Sequence, residues 1–322
     1  MLLDIVVIAT GLGALIWSAD RFVDGAAALA RRCGMPPLLI GMTIVSIGTS
    51  APEILVSLVA AATGAGTLAV GNAFGSNIAN IGMVLGITLL ISPILVGRTT
   101  VRRDLPLLLI TVSVCAILLW DRNLSYLDAW VLIGGLLLFF SQIIAHARRS
   151  DRSDKAPEIH DMTTLRASLT FVVGLIVLII ASRALVGSAV NIASALGISE
   201  LVIGLTIVAI GTSLPELAAS VMSAIKGHAD IAIGTIIGSN MLNLLVVLAI
   251  PGFFSDLELS DAAILRDLDM VLLTTVALCG FTWIRFDKKT QTSRLGRSAG
   301  IVFLGMYVAY YVVLIFQPNF PS

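Results

Sequence analysis

Charge is what this sequence has least of: 12% of its 322 residues are Asp, Glu, Lys or Arg, about half the share found in soluble domains. That scarcity excludes an ordinary water-exposed surface. The charges that remain cancel, 20 basic against 20 acidic, and no basic block interleaved with aromatics is present, so nothing points to nucleic acid. Cysteine is almost missing. Cys33, Cys115 and Cys279 are odd in number, far apart and partly inside apolar runs, which excludes a disulfide framework or a zinc site and suits buried structural thiols. His146, His160 and His228 each fall in polar connections, where solvated side chains are expected rather than metal ligands. The N-terminus lacks the basic leader of a signal peptide and carries Asp4 instead, so its apolar run is expected to stay as a helix.

Apolar residues fill the space that charge leaves, at 57% of the chain. Runs such as Leu105 to Trp120, Ala129 to Ala145 and Ala299 to Phe316 approach the about 20 residues that cross a bilayer as a helix. Reading runs between charged or Gly/Pro-rich breaks places helices near 2-19, 36-62, 68-96, 105-120, 127-146, 166-186, 199-225, 231-253, 268-284 and 298-316. The expected fold class is therefore an all-α membrane protein of ten transmembrane helices. With both termini external, all of the 20 lysines and arginines except Arg122, Arg183 and Arg266 fall on the cytoplasmic side, as the positive-inside rule requires. A multi-pass membrane protein follows, with lipid as its surroundings and no cofactor or obligate protein partner expected.

The chain repeats itself. Gly41 to Glu53, GMTIVSIGTSAPE, recurs 163 positions later as GLTIVAIGTSLPE from Gly204 to Glu216, and the same offset pairs GNAFGSNIAN at Gly71 to Asn80 with GTIIGSNMLN at Gly234 to Asn243. Gly34 pairs with Gly197, and Arg103-Asp104 with Arg266-Asp267. Residues 1-146 thus form a first five-helix repeat with its motif at 40-80. Residues 147-164 form a mobile cytoplasmic linker, and 165-322 a second repeat with its motif at 203-243. Five crossings per repeat make the second enter the membrane from the opposite side, an inverted topology.

Each GTSxPE segment should break its own helix. Pro52 and Pro215 have no amide hydrogen and clash with the carbonyl four residues back, freeing the Gly48 and Gly211 carbonyls, which hydrocarbon tolerates only beside protein or water. Ser46, Thr49, Ser50 and Glu53 recur at spacings of 3 or 4 and share a helix face, as do Ser76 or Asn77 with Asn80. A carboxylate near the bilayer centre is costly and usually marks an ion or proton path. Two of them amid hydroxyl, amide and backbone oxygens suit calcium, which takes 6 to 8 oxygens in irregular geometry. No His and Cys cluster favours zinc or copper. Gly71, Gly75, Gly234 and Gly238 read as close helix packing, Asp104 and Asp267 as helix caps, and a lone Ser50 or Ser76 could bond its own backbone.

The duplicated GTSxPE and GSNxxN motifs resemble those of the cation/calcium exchanger superfamily, sodium/calcium exchanger type, over essentially the whole chain. The resemblance implies four central helices around the ions and two long tilted helices, the first and sixth, that slide as a gate. By motif match, Glu53 and Glu216 would be calcium carboxylates, with the Thr49 and Thr212 carbonyls beside them. Ser50, Ser76, Ser213 and Ser239, with the carbonyls of Ser46 and Ala209, would line sodium positions, and Asn80 and Asn240 would complete the centre. Asn243 stands where sodium/calcium exchangers of this kind often have an aspartate. The implied activity is calcium-for-sodium antiport by alternating access. Proton-coupled calcium antiport remains open, as does, from another class, a passive cation channel.

Overall fold

The computed structural model describes residues 1–149, 162–197, 207, 209–259 and 264–316. Among these, eight helices are long and apolar enough to cross a membrane, or nine when one bent pair counts as a single span. In chain order they are α1 (Leu2–Cys33), the bent pair α2 (Pro37–Thr49) and α3 (Ala51–Ala62), α4 (Gly66–Ile91), α5 (Thr100–Asp121), α6 (Tyr126–Arg149) and α7 (Thr164–Ala195), then α10 (Ala229–Gly252), α11 (Arg266–Ile284) and α12 (Arg297–Phe316). The short helices α8 (Ala209–Thr212) and α9 (Leu214–Ile225) lie between α7 and α10. They occupy the expected helix 199-225, whose beginning lies outside the described residues, as does most of the linker 147-164.

The 163-residue offset governs element boundaries as well as letters. Ala51–Ala62 recurs as Leu214–Ile225, and the α-helical parts Gly66–Ala79 and Ala229–Leu242 begin and end in register. Left-handed glycines close matching turns: Gly34 (φ 63°) with Gly197 (φ 76°), and Gly64 (φ 79°) with Gly227 (φ 78°).

Several expectations need correction. The first helix does not stop at residue 19 but runs 32 residues to Cys33, and the sixth runs from Thr164 to Ala195 rather than over 166-186. Charge at Asp20, Arg21 and Asp24 suggested a break. Those carboxylates instead hold the Lys226 ammonium, at 2.7 Å from Asp20 and 2.6 Å from Asp24, and the Ala-rich stretch beyond them is strongly helix-forming. Asp104 stands at the N-cap position of the helical segment that follows but makes no side-chain capping bond to it. It ends a wide π-helical turn, Thr100–Asp104, and Asp267 lies in the matching turn, Ile264–Leu268. Their carboxylates pair with the preceding arginine, at 2.7 Å for Arg103 and 2.6 Å for Arg266, and Tyr310 donates to Asp267 at 2.9 Å. Cys115 and Cys279 are buried as expected, but Cys33 is exposed at the end of α1.

Short strands close both ends of the bundle. β1 (Ile94–Gly97) pairs antiparallel with β5 (Thr292–Leu295), which also pairs with β4 (Phe286–Asp287). On other connections β2 (Asn123–Leu124) pairs with β3 (Leu257–Glu258). Sequence reading missed all five, because ribbons this short carry no pattern of their own. The longest helices, α1 and α7, lie antiparallel with Phe22 stacked on Phe171 at 4.8 Å. Gly25 and Gly174 allow this, since a Cβ on Gly25 would collide with the Phe171 backbone and one on Gly174 would lie 2.6 Å from the Phe22 nitrogen.

His228 is buried rather than solvated, just ahead of α10. Burial and the neighbouring Lys226 charge hold its imidazole below the ordinary 6.5, with Asp24 opposing. NMR titration of ring-labelled histidine should therefore find His228 protonating below pH 6.5, and Lys226→Met should raise that value. A His228 midpoint at or above the ordinary value would contradict the burial.

Candidate functional site

The break in the first signature follows from its proline. Pro52 enters the first turn of α3, where its missing N–H costs nothing, and the chain bends by 46° across Ser50. Ser50 has left the helical region at φ −84°, ψ 3°, and Ser213 matches it at φ −90°, ψ 6°. Glu53 and Glu216 thereby fall in the first turns of α3 and α9, where the positive end of each helix favours a carboxylate. Both are almost wholly buried.

The two repeats meet at these carboxylates. Ser50 Oγ donates to Glu216 Oε1 at 3.1 Å across 166 residues of sequence. The serine of an S-x-P-E box thus caps nothing on its own helix. The reciprocal bond is not made: among the described residues Ser213 Oγ has no partner, nor do Glu53 Oε2 and Glu216 Oε2. On the helices packed against them, among the described residues, lie further buried oxygens without partners, on Asn80, Asn240, Asn243 and Asn77 and on Ser239. Such groups normally find a hydrogen bond, so their concentration on the signature segments of the two repeats is the site's principal feature. The amides also have a direction. Asn77 Nδ2 donates to the Ala73 carbonyl at 2.8 Å and Asn240 Nδ2 to Ile236 at 2.7 Å, which uses the donors on each residue's own helix and leaves the acceptor oxygens. Asn77 was absent from the motif-matched ligand set, although the offset that pairs it with Asn240 could have supplied it.

Asn80 and Asn243 each open a π-helical turn, Asn80–Leu85 and Asn243–Val247, a local widening common at functional sites. Of the other expected residues, Ser46, Thr49 and Ser76 are buried, and Thr212 is half-buried with a partner. The Ser46 carbonyl is already engaged, accepting from Ser50 N at 2.9 Å and from Thr49 Oγ1 at 3.4 Å. Its counterpart differs, because Ser213 N bonds Ile210 at 3.2 Å and not Ala209.

Glycines bring the repeats this close. A Cβ on Gly234 would lie 2.5 Å from the Leu38 carbonyl, one on Gly238 2.6 Å from the Met42 carbonyl and from Ser46 Oγ, and one on Gly41 2.6 Å from the Ile231 carbonyl. Gly71 and Gly75 meet no described atom within 4 Å, so packing accounts for only one of the two glycine pairs. Asp104 and Asp267 take no part, being held by their arginines. A buried set of carboxylate, amide and hydroxyl oxygens, with no Lys or Arg among them, suits a hard cation.

The chain matches the family described as "Sodium/calcium exchanger protein" over residues 3–144 and 166–316. The putative antiporter CaxA of Alkalimonas amylolytica is 41% identical over 98% of this chain and 99% of its own length. The inner membrane protein YrbG of Escherichia coli K12 is 38% identical over 98% and 97%. The sodium/calcium exchanger MaX1 of Methanosarcina acetivorans is 28% identical over 97% and 99%. Among solved structures, the sodium-calcium exchanger NCX_Mj soaked with sodium and calcium superposes with a TM-score of 0.82 at 30% identity, covering 99% of this chain and 100% of that one.

Proposed function

The chain belongs to the sodium/calcium exchanger family, a multi-pass membrane antiporter of that superfamily, and from that premise we propose that it exchanges calcium for sodium by alternating access. The Ser50–Glu216 hydrogen bond carries the reading, because it joins a carboxylate of one repeat to a hydroxyl of the other inside a cluster of unpartnered buried oxygens. Glu53 and Glu216 bind calcium, with the Thr49 and Thr212 carbonyls and the amide oxygens of Asn80, Asn240 and Asn243. Ser50, Ser76, Ser213 and Ser239, with the carbonyls of Ser46 and Ala209, hold sodium. Two carboxylates are neutralised by one calcium or two sodium ions. Both loads together would leave surplus charge in a poorly polarisable interior, so occupancy is exclusive.

The proposal includes ten crossings in two inverted repeats, 1-146 and 165-322, with the termini outside. Strand pairing supports it: β1 with β5 and β2 with β3 each require an even number of crossings between the joined connections. In the cycle α1 and α7 slide together while the broken helices stay fixed. Their glycine-lined seam favours motion as one unit.

Asn243 adds no third acid, which favours proton coupling, whereas the unpartnered hydroxyls of Ser213 and Ser239 favour sodium, because a proton needs only titratable groups. The deciding experiment is calcium release from loaded vesicles on external addition of sodium, potassium, choline or acid. Sodium alone should drive release. Release by acid and indifferent to sodium replaces the reading with proton-coupled antiport, and leak independent of any counter-ion with a channel.

A further inference from the structure

Away from the ion site, three spanning helices end beside one basic cavity. α4 closes at Ile91, α11 closes at Ile284 and α12 opens at Arg297, and Pro93, Arg285, Arg294, Gly296 and Arg297 line a cavity of about 460 Å³ next to those ends. Every lining residue thus lies within three positions of the end of an apolar span, the level at which a bilayer places its headgroups. Two of the guanidinia are held in place. Arg285 Nη2 donates to Ser298 Oγ at 2.9 Å and its guanidinium lies 5.7 Å from the centre of the Phe281 ring, while Arg297 Nε donates to the Leu90 carbonyl at 3.2 Å. Each bond uses one N–H donor and leaves the rest of the fork. Arg294 stands on β5 opposite exposed Leu95 of β1, and among the described residues its side chain makes no hydrogen bond or ion pair.

The charge at this end of the bundle is not cancelled. Residues 92–104 and 285–298, the two connections that β1 and β5 join, hold eight Lys or Arg against Asp104 and Asp287. Arg103 takes Asp104 at 2.7 Å, and Asp287 accepts from the Lys289 amide at 2.8 Å and from Thr290 Oγ1 at 3.2 Å. Among the described residues no carboxylate pairs with Arg285, Arg294 or Arg297. An apolar wall follows from the direction of α12 itself. Because that helix starts at Arg297, the residues 4, 11 and 15 positions later lie on the same face and deeper in the span, and Ile301, Val308 and Val312 are all exposed there. Ile284 and Ile91 expose further apolar surface at the ends of α11 and α4. Guanidinium forks match phosphate oxygens, and basic pockets between spanning helices hold anionic headgroups. We infer that this cavity binds an anionic phospholipid of the surrounding bilayer, its phosphate among Arg285, Arg294 and Arg297 and one acyl chain along Ile301, Val308 and Val312. A soluble phosphate would leave the apolar stripe bare, and a second copy of this chain would bring the same positive charge.

The test is retention of lipid by the full chain. Purified in a nonionic detergent, the protein is incubated with equal amounts of phosphatidylglycerol and phosphatidylcholine, and the phospholipid that co-elutes on gel filtration is quantified. Phosphatidylcholine carries the same phosphate with a cation beside it, so the comparison reads headgroup charge. Phosphatidylglycerol should be retained at least about tenfold over phosphatidylcholine, and Arg294→Gln should lower that preference about fivefold, as loss of one basic residue near a headgroup does. Lys288→Gln with Lys289→Gln, exposed on the same connection but outside the cavity, should leave it within about twofold. Equal retention of the two lipids overturns the inference, as does an equal loss in the lysine variant, which would trace the preference to diffuse surface charge. Displacement of phosphatidylglycerol by millimolar inorganic phosphate also overturns it, in favour of a soluble anion, and elution as a lipid-free dimer overturns it in favour of a second copy. Arg294 makes no side-chain bond, so its substitution should not unfold the chain. If Arg294→Gln nevertheless fails to assemble, Arg294→Lys decides: the preference kept with the charge supports the site, and the preference lost removes it.

Discussion

Replacing Glu53 or Glu216 by Gln is expected to abolish calcium exchange in vesicles while leaving a folded protein. Gln keeps the volume and the hydrogen-bonding reach of Glu, so Ser50 still finds an acceptor at residue 216 and packing around α3 and α9 is undisturbed. What disappears is half the negative charge of a site buried from water. One unit charge about 4 Å from another is worth about 4 kcal/mol at an effective dielectric near 20, and calcium doubles it. After allowance for solvation and the remaining oxygens, the loss should exceed about a hundredfold in affinity. Stability should not fall, because a buried carboxylate with no balancing cation is costly to hold without its ion. Calcium uptake near the starting level in either variant, with intact protein in the membrane, would exclude these carboxylates from the ion path. Neutralising Asp104 serves as the contrast, because its charge is spent on Arg103 and not on the ion.

What sequence could and could not say divides along physical lines. Proline chemistry made the breaks at Ser50 and Ser213 legible, and a shared offset made the pairing of Glu53 with Glu216 legible, since both depend on local covalent structure or on identity of letters. Helix ends were harder. Asp20 and Asp24 looked like a stop because their partner, Lys226, is about two hundred residues away, and His228 looked solvated for the same reason. Identical letters did not reveal an asymmetry of bonding: Ser50 donates to Glu216, whereas Ser213 Oγ has no partner among the described residues. The π-helical turns at Asn80 and Asn243 leave no mark in hydropathy, because they widen the helix by one residue without changing its composition.

Gly238→Ala is expected to damage the protein more than any other single methyl group added to the described glycines of α10. The new Cβ would fall 2.6 Å from the Met42 carbonyl and 2.7 Å from the Met42 Cα, and backbone cannot swing aside as a flexible side chain can. The helices must part, at about 1 to 3 kcal/mol for overpacking of this kind. The displacement acts where it matters most: Gly238 precedes Ser239 and Asn240, and the same Cβ would press on Ser46 Oγ at 2.6 Å. A shift of α10 against α2 therefore pulls the ligands of one repeat from those of the other. Thermal unfolding in detergent should move down by several degrees, as about 1 to 2 kcal/mol does in a protein of this size, and calcium affinity should fall with it. Gly305→Ala provides the control. No described atom lies within 4 Å of its Cβ, so the substitution should be neutral or stabilise α12 by up to about 1 kcal/mol. If Gly238→Ala binds and unfolds like Gly305→Ala, the close approach of α2 and α10 is not what holds the two halves of the site together.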